Sequence, residues 1–154
     1  MTDIKPMLIG GQWRSGSHAI DNINPSNTND LVGRYAQGNS GDMQAAITAA
    51  SDALPEWSAT TPQQRHNVLA RVAAELTHRR DEIGTLLARE EGKTLREAVG
   101  ETARAANIFS FFAGEALRQR GDRLASVRPG IEIDVTREPV GVVGLITPWN
   151  FPIA

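Results

Sequence analysis

The 154-residue sequence contains no cysteine. That absence removes disulfides, thiolate metal sites and any cysteine nucleophile from these residues. Histidine is almost as scarce: His18, His66 and His78 lie far apart with no paired ligand spacing, so no metal site is predicted. Positive charge is not in excess, because 16 Lys and Arg face 18 Asp and Glu for a net charge of −2. Nothing in that balance points to DNA, RNA or an anionic membrane surface. No apolar run approaches the roughly 18 residues that cross a bilayer, and the opening Met1-Thr2-Asp3-Ile4-Lys5-Pro6 lacks the apolar core of a secretion signal. A cytoplasmic location is the expectation. What remains, at 40% apolar and 22% charged residues, is a soluble globular composition with enough length for a sizeable core.

Taken in order, Met7-Leu8-Ile9-Gly10-Gly11-Gln12-Trp13-Arg14 and then Ala19 to Asn24 read as two short strands with a turn between them. Asp42 is the expected N-cap of a helix carrying Met43, Ala46, Ile47, Ala50, Ala53, Leu54 and Trp57, closed near Pro55. Thr61-Pro62-Gln63-Gln64 is a capping box with proline at the first helical position, and that helix is expected to bury Val68, Leu69, Val72, Ala73 and Leu76. A third helix is predicted from Asp81 through Ile83, Leu86 and Leu87, ending at Gly92. The longest starts at Thr94, boxed with Glu97, and runs to about Gly121 on a stripe from Leu95 through Ala98, Thr102, Ala105 and Phe109 to Phe112, Ala113 and Leu117. Arg89, Glu90, Glu91 and Lys93, at the junction of these two helices, read as a solvated helix end rather than an acid/base cluster. Beyond them, Ile131 to Arg137 alternates apolar and polar residues, a strand with one buried face. Its exposed edge predicts association with another chain.

The stretch with chemical content is the last one. Val140, Val142, Val143, Leu145 and Ile146 form a near-continuous apolar run, which predicts a strand covered on both faces in a parallel sheet. Pro148 ends the run, and Pro148 and Pro152 bracket Trp149, Asn150 and Phe151 and restrict the backbone before each proline. The one polar side chain there, Asn150, would sit at the carboxyl end of a strand, where open α/β sheets bind ligands. Spacing alone favours a plainer reading, a turn asparagine bonded to its own backbone, with Trp149 and Phe151 as core aromatics.

The string Glu138-Pro139-Val140-Gly141-Val142-Val143-Gly144-Leu145-Ile146-Thr147-Pro148-Trp149-Asn150-Phe151-Pro152 resembles the signature of NAD(P)-dependent aldehyde dehydrogenases. The opening Ile9-Gly10-Gly11-Gln12-Trp13 with its Asn24-Pro25 turn is similar to the same family. The run from Arg89 to Ala98, with Phe111 to Ala116, looks most like the branch that acts on semialdehydes of dicarboxylic acids, such as 2-oxoglutarate semialdehyde. The resemblance implies an α/β fold: the N-terminal part of a Rossmann-like cofactor domain, helix-rich over 1–120. An oligomerisation strand would follow over 121–139, and the first buried strand with its turn over 140–154. It implies that Asn150 donates its amide to the oxyanion formed on a small aldehyde substrate. Ile146, Thr147, Pro148, Trp149 and Asn150 would lie along the nicotinamide half of NAD or NADP, in a homodimer or homotetramer. In the family the cysteine nucleophile, the glutamate base and the glycine-rich cofactor turn lie beyond this segment, so these residues are expected to need the rest of a longer enzyme. Two other readings stay open: a non-catalytic module that pairs with an aldehyde dehydrogenase subunit or with itself, and a same-fold reductase of an acyl phosphate.

Overall fold

A computed structural model describes residues 3–154; Met1 and Thr2, which open the segment read above as no secretion signal, lie outside the described residues. The elements in order are β1 (Ile4–Lys5), β2 (Met7–Ile9), β3 (Gln12–Arg14), β4 (His18–Ile23), β5 (Leu31–Gln37), α1 (Ser40–Ser58), α2 (Pro62–His78), α3 (Arg80–Glu91), α4 (Leu95–Leu117), β6 (Asp122–Ala125) and β7 (Glu132–Val135). Among the described residues no helix is long and apolar enough to cross a membrane.

The mixture of helix and strand is as expected, but the strands are arranged differently. The first apolar run folds on itself at Gly10-Gly11, so that Met7 of β2 stands opposite Arg14 of β3. β4 finds its antiparallel partner in β5, and β1 adds to β5 in parallel, giving the order β1-β5-β4. β5 was not anticipated, because Leu31-Val32-Gly33-Arg34-Tyr35-Ala36-Gln37 interrupts its apolar positions with a glycine and an arginine.

The loop between β4 and β5 is fastened to α3. Arg89 donates from Nε to Asp30 Oδ2 at 2.9 Å and from a terminal nitrogen to Oδ1 at 2.6 Å, and Asn24 Nδ2 donates to the same carboxylate at 3.1 Å. These hydrogen bonds, Arg89's first and Asn24's second, hold the Asp30 carboxyl at about 2, below the usual carboxylate range. A depressed carboxyl contributes stability that is complete above its unfolded value of about 4 and is lost as pH falls through the folded value. Asp30→Asn is therefore expected to flatten the acid limb of the unfolding curve below about pH 4, read by urea midpoints at a series of pH values.

Local chemistry sets the helix ends. Asn39, not Asp42, is the N-cap of α1: its Oδ1 accepts from Gly41 N at 2.7 Å and Asp42 N at 3.1 Å, while Asp42 Oδ2 accepts from Asn39 N at 2.9 Å. Asp42 is thus the far member of the box. Pro55 does not close the helix, which continues to Ser58; a proline this near the end forgoes only a last-turn bond. Thr61 and Thr94 cap α2 and α4 as the sequence predicts. Asp81 lies in the first turn of α3 rather than capping it, and α4 stops at Leu117, short of Gly121.

The core is the seam that α4 shares with α2 and α3. Ala98, Thr102, Ala105, Ala106, Ala113 and Ala116 of α4 are buried there, with Ala73 of α2 and Leu87 of α3. Side chains this small let helices approach closely. At Gly84 of α3 the approach is closest, since a Cβ there would lie 2.6 Å from Val99 Cγ2 and 2.8 Å from Val99 Cα. The ends of the α4 stripe, Leu95, Phe112 and Leu117, are exposed, as are Met43, Ile47 and Trp57 of α1, which packs chiefly on β2.

The last segments differ most from expectation. The alternating strand does form, as β7, and its partner is β6, with Asp122 opposite Val135 and Ala125 opposite Glu132. Both faces of this hairpin are exposed, so the expected buried face has no cover within the described residues. The apolar run from Val140 to Ile146 pairs with no described strand, and Ile146 is fully exposed. A parallel strand exists only where neighbours supply its hydrogen bonds, and the described residues supply none.

Candidate active site

The geometry around Asn150 is built from the α3–α4 junction. Gly92 ends α3 in the left-handed conformation, φ 71°, and a Cβ at that position would strike Pro25 Cγ and Ser26 Oγ, both at 2.7 Å. Ser26 Oγ donates to the Gly92 carbonyl at 2.7 Å and fixes the turn against the β4–β5 loop. The chain leaves this turn through Lys93 and enters α4 at Thr94, whose Oγ1 donates to Glu97 Oε2 at 2.6 Å. Two helical turns on, Glu101 points back toward Lys93.

Three charged side chains meet there. Lys93 Nζ donates to Glu101 Oε2 at 2.5 Å and also contacts the Glu91 carboxylate. The side chains of Lys93, Glu91 and Glu101 are 16%, 6% and 1% exposed. Glu91 contributes charge only, since neither of its oxygens accepts a well-formed hydrogen bond among the described residues. Burial by itself would lower the Lys93 pKa, but the hydrogen bond to Glu101 and the adjacent Glu91 carboxylate outweigh it and the net shift is upward. The expected solvated helix end is therefore wrong for Lys93 and Glu91, and Glu101 was not singled out at all. The signal that was missed is a glutamate on the buried stripe of α4, one residue before Thr102 and in line with Ala98 and Ala105. A charge at such a position needs a partner.

The cluster holds the Asn150 turn. Lys93 Nζ donates to the Asn150 carbonyl at 2.9 Å and lies 4.7 Å from the centre of the Phe151 ring. Glu101 Oε1 accepts from Ile153 N at 3.2 Å. Beneath the turn is a cleft of about 400 Å³ lined by Lys93, Gly100, Glu101, Arg104, Asn150 and Phe151. Pro152 and Ile153 help to line a second, more apolar cleft of about 370 Å³, together with Tyr35, Ile83 and Leu87.

No hydrogen bond to a described residue occupies the Asn150 side chain; its backbone carbonyl is the bonded group. Asn150 does lie in a turn, as the plainer reading has it, but its side chain makes no bond to its own backbone. Of the other residues predicted for cofactor contact, Ile146, Thr147 and Pro148 are exposed and lie in no helix or strand, and Trp149 is 89% exposed rather than a core aromatic. Residues 146–148 enter no ladder among the described residues, and Trp149 and Asn150 form a turn. The fold thus gathers Asn150 and Phe151 around Lys93 and Glu101 and leaves 146–149 exposed.

A model of the aldehyde dehydrogenase family matches residues 13–154. The chain belongs to that family. It is 40% identical to an alpha-ketoglutaric semialdehyde dehydrogenase of Bacillus subtilis over 149 residues, which is 96% of this chain and 30% of the relative. Among solved structures it is similar to an E. coli NADP-dependent enzyme, with a TM-score of 0.92 at 36% identity over 97% of this chain and 31% of the other. It is also similar to a betaine aldehyde dehydrogenase mutant from Staphylococcus aureus in complex with NAD+, with a TM-score of 0.91 at 32% identity over 97% of this chain and 30% of the other. This aldehyde dehydrogenase chain thus spans about 30% of the length of the curated relative it matches.

Proposed function

We propose that these residues serve a cytoplasmic, homo-oligomeric oxidoreductase that oxidises the semialdehyde of a dicarboxylic acid to the acid with NAD or NADP. In that enzyme Asn150 acts as an oxyanion donor. One observation carries the reading: Asn150 is fixed by its backbone carbonyl while its side-chain amide stays free at the edge of a cleft. When a thiolate supplied from outside these 154 cysteine-free residues adds to the aldehyde, negative charge develops on the carbonyl oxygen. An amide is suited to meet it because it is neutral and donates at every working pH. The bound nicotinamide supplies the hydride acceptor. The exposed 146–148 backbone, which pairs in no ladder among the described residues, fits a role alongside that group. The exposed β6–β7 hairpin, with Leu124, Ile131 and Ile133 uncovered, supports association through 121–139.

The substrate class follows from the relative's name and from Arg104. This arginine lines the Asn150 cleft, is exposed and forms no ion pair among the described residues, so it is available to a substrate carboxylate. A hydrogen-bonded charge pair is worth about 1.5–3 kcal/mol. Arg104→Met in the complete enzyme should raise KM for a carboxylated aldehyde on the order of tenfold or more, while an uncharged aldehyde of equal length keeps its KM. Equal changes for both would remove Arg104 from recognition. The function itself is tested by aldehyde-dependent formation of reduced nicotinamide; formation from the carboxylated semialdehyde supports it, and turnover only of an acyl phosphate replaces it with the reductase reading.

A further inference from the structure

We infer that Lys93 and Glu101 are positioning residues for Asn150, acting through the backbone of its turn. The inference rests on the reading of Asn150 as oxyanion donor. Glu101 uses its two oxygens in two directions: Oε2 accepts from Lys93 at 2.5 Å and Oε1 accepts from Ile153 N at 3.2 Å. Lys93 in turn donates to the Asn150 carbonyl at 2.9 Å. One buried ion pair therefore holds the turn at both ends, at residue 150 and at residue 153. The chain before the turn has no strand partner, since 136–148 enters no ladder among the described residues. The Asn150 turn is consequently referenced through Lys93 and Glu101 to α4, the helix with the most buried side chains.

Stability is a poor explanation for charges in this place. A buried pair is commonly matched or bettered by apolar residues of equal volume, because desolvation offsets most of the attraction. A pair whose remaining hydrogen-bonding capacity is directed at the two ends of one turn instead defines a location. Oxyanion donors act only where their distance is right, and a displacement of about 1 Å can reduce turnover on the order of 100-fold.

The test is a double-mutant cycle in the complete enzyme. Lys93→Met keeps chain length but cannot donate to the Asn150 carbonyl. Alone it should lower kcat on the order of 10- to 100-fold, with KM within about threefold. Glu101→Gln, a milder change that leaves Glu91 to neutralise Lys93, should lower kcat in the same sense and keeps the question answerable should Lys93→Met fold poorly. In an Asn150→Ala background, neither change should lower kcat further. A reduction by the same factor in both backgrounds, or none in either, overturns the inference. An Asn150→Ala enzyme with unaltered kcat instead overturns the oxyanion reading beneath it, so the two failures are told apart. Urea midpoints for every variant separate folded from unfolded protein, and a merely structural role would move those midpoints without the dependence on Asn150.

Discussion

Asn150→Ala in the complete enzyme is expected to lower kcat on the order of 10² to 10³-fold, with KM for the aldehyde changed only a few-fold. The magnitude is that of one preorganised donor lost from the position where charge develops. KM stays near its original value because the carbonyl in the ground state carries little charge for an amide to stabilise. Folding should be unaffected: the group that anchors the turn is the Asn150 backbone carbonyl, which alanine retains, and the side chain makes no hydrogen bond to a described residue. Steady-state rates, with circular dichroism as the control, decide it. Turnover within a few-fold of the parent, in a folded protein, would remove Asn150 from the mechanism.

Lys93→Ala should destabilise the protein by about 3–5 kcal/mol, the largest stability effect anticipated for a single side chain here. It leaves Glu91 and Glu101, whose side chains are 6% and 1% exposed, facing each other without a cation. Urea unfolding followed by circular dichroism measures the loss. Replacing Lys93, Glu91 and Glu101 together by apolar residues should recover most of that stability, since no uncompensated charge then remains. It should not recover turnover if the pair exists to place Asn150. The pH dependence has a definite sign. Because the Lys93 pKa is raised on folding, its contribution is complete below the unfolded value of about 10.4 and is lost as pH rises through the folded value. Lys93→Ala should therefore flatten the alkaline limb of the stability profile. An unchanged alkaline limb would mean that the cluster is solvated.

Much of the helical framework was legible in the sequence because it is set locally. Thr61 with Gln64 and Thr94 with Glu97 are boxes whose partners stand three residues apart, and each lies where the sequence places it. Gly92 ends α3 for the same reason, since only glycine accepts that backbone without strain. Either Asn39 or Asp42 is of a residue type that can cap, and it is Asn39 that takes the extended backbone while Asp42 completes the box. The strands were harder to read. β5 and β6 needed partners to be recognised, and the apolar run at 140–146 shows the converse, a strand-like pattern without a ladder.

The same division runs through the site. By itself the sequence determined the family and most of the helical framework, since these are carried by residues adjacent in the chain. It could not disclose that Lys93 meets Asn150, 57 positions away, or that Ile153 reaches Glu101 from 52 positions away. On paper Glu91 and Lys93 looked like surface charge. Only the packing of α4 against α3 buried them, and burial is what turns a charge that water would satisfy into one that must find its partner within the fold.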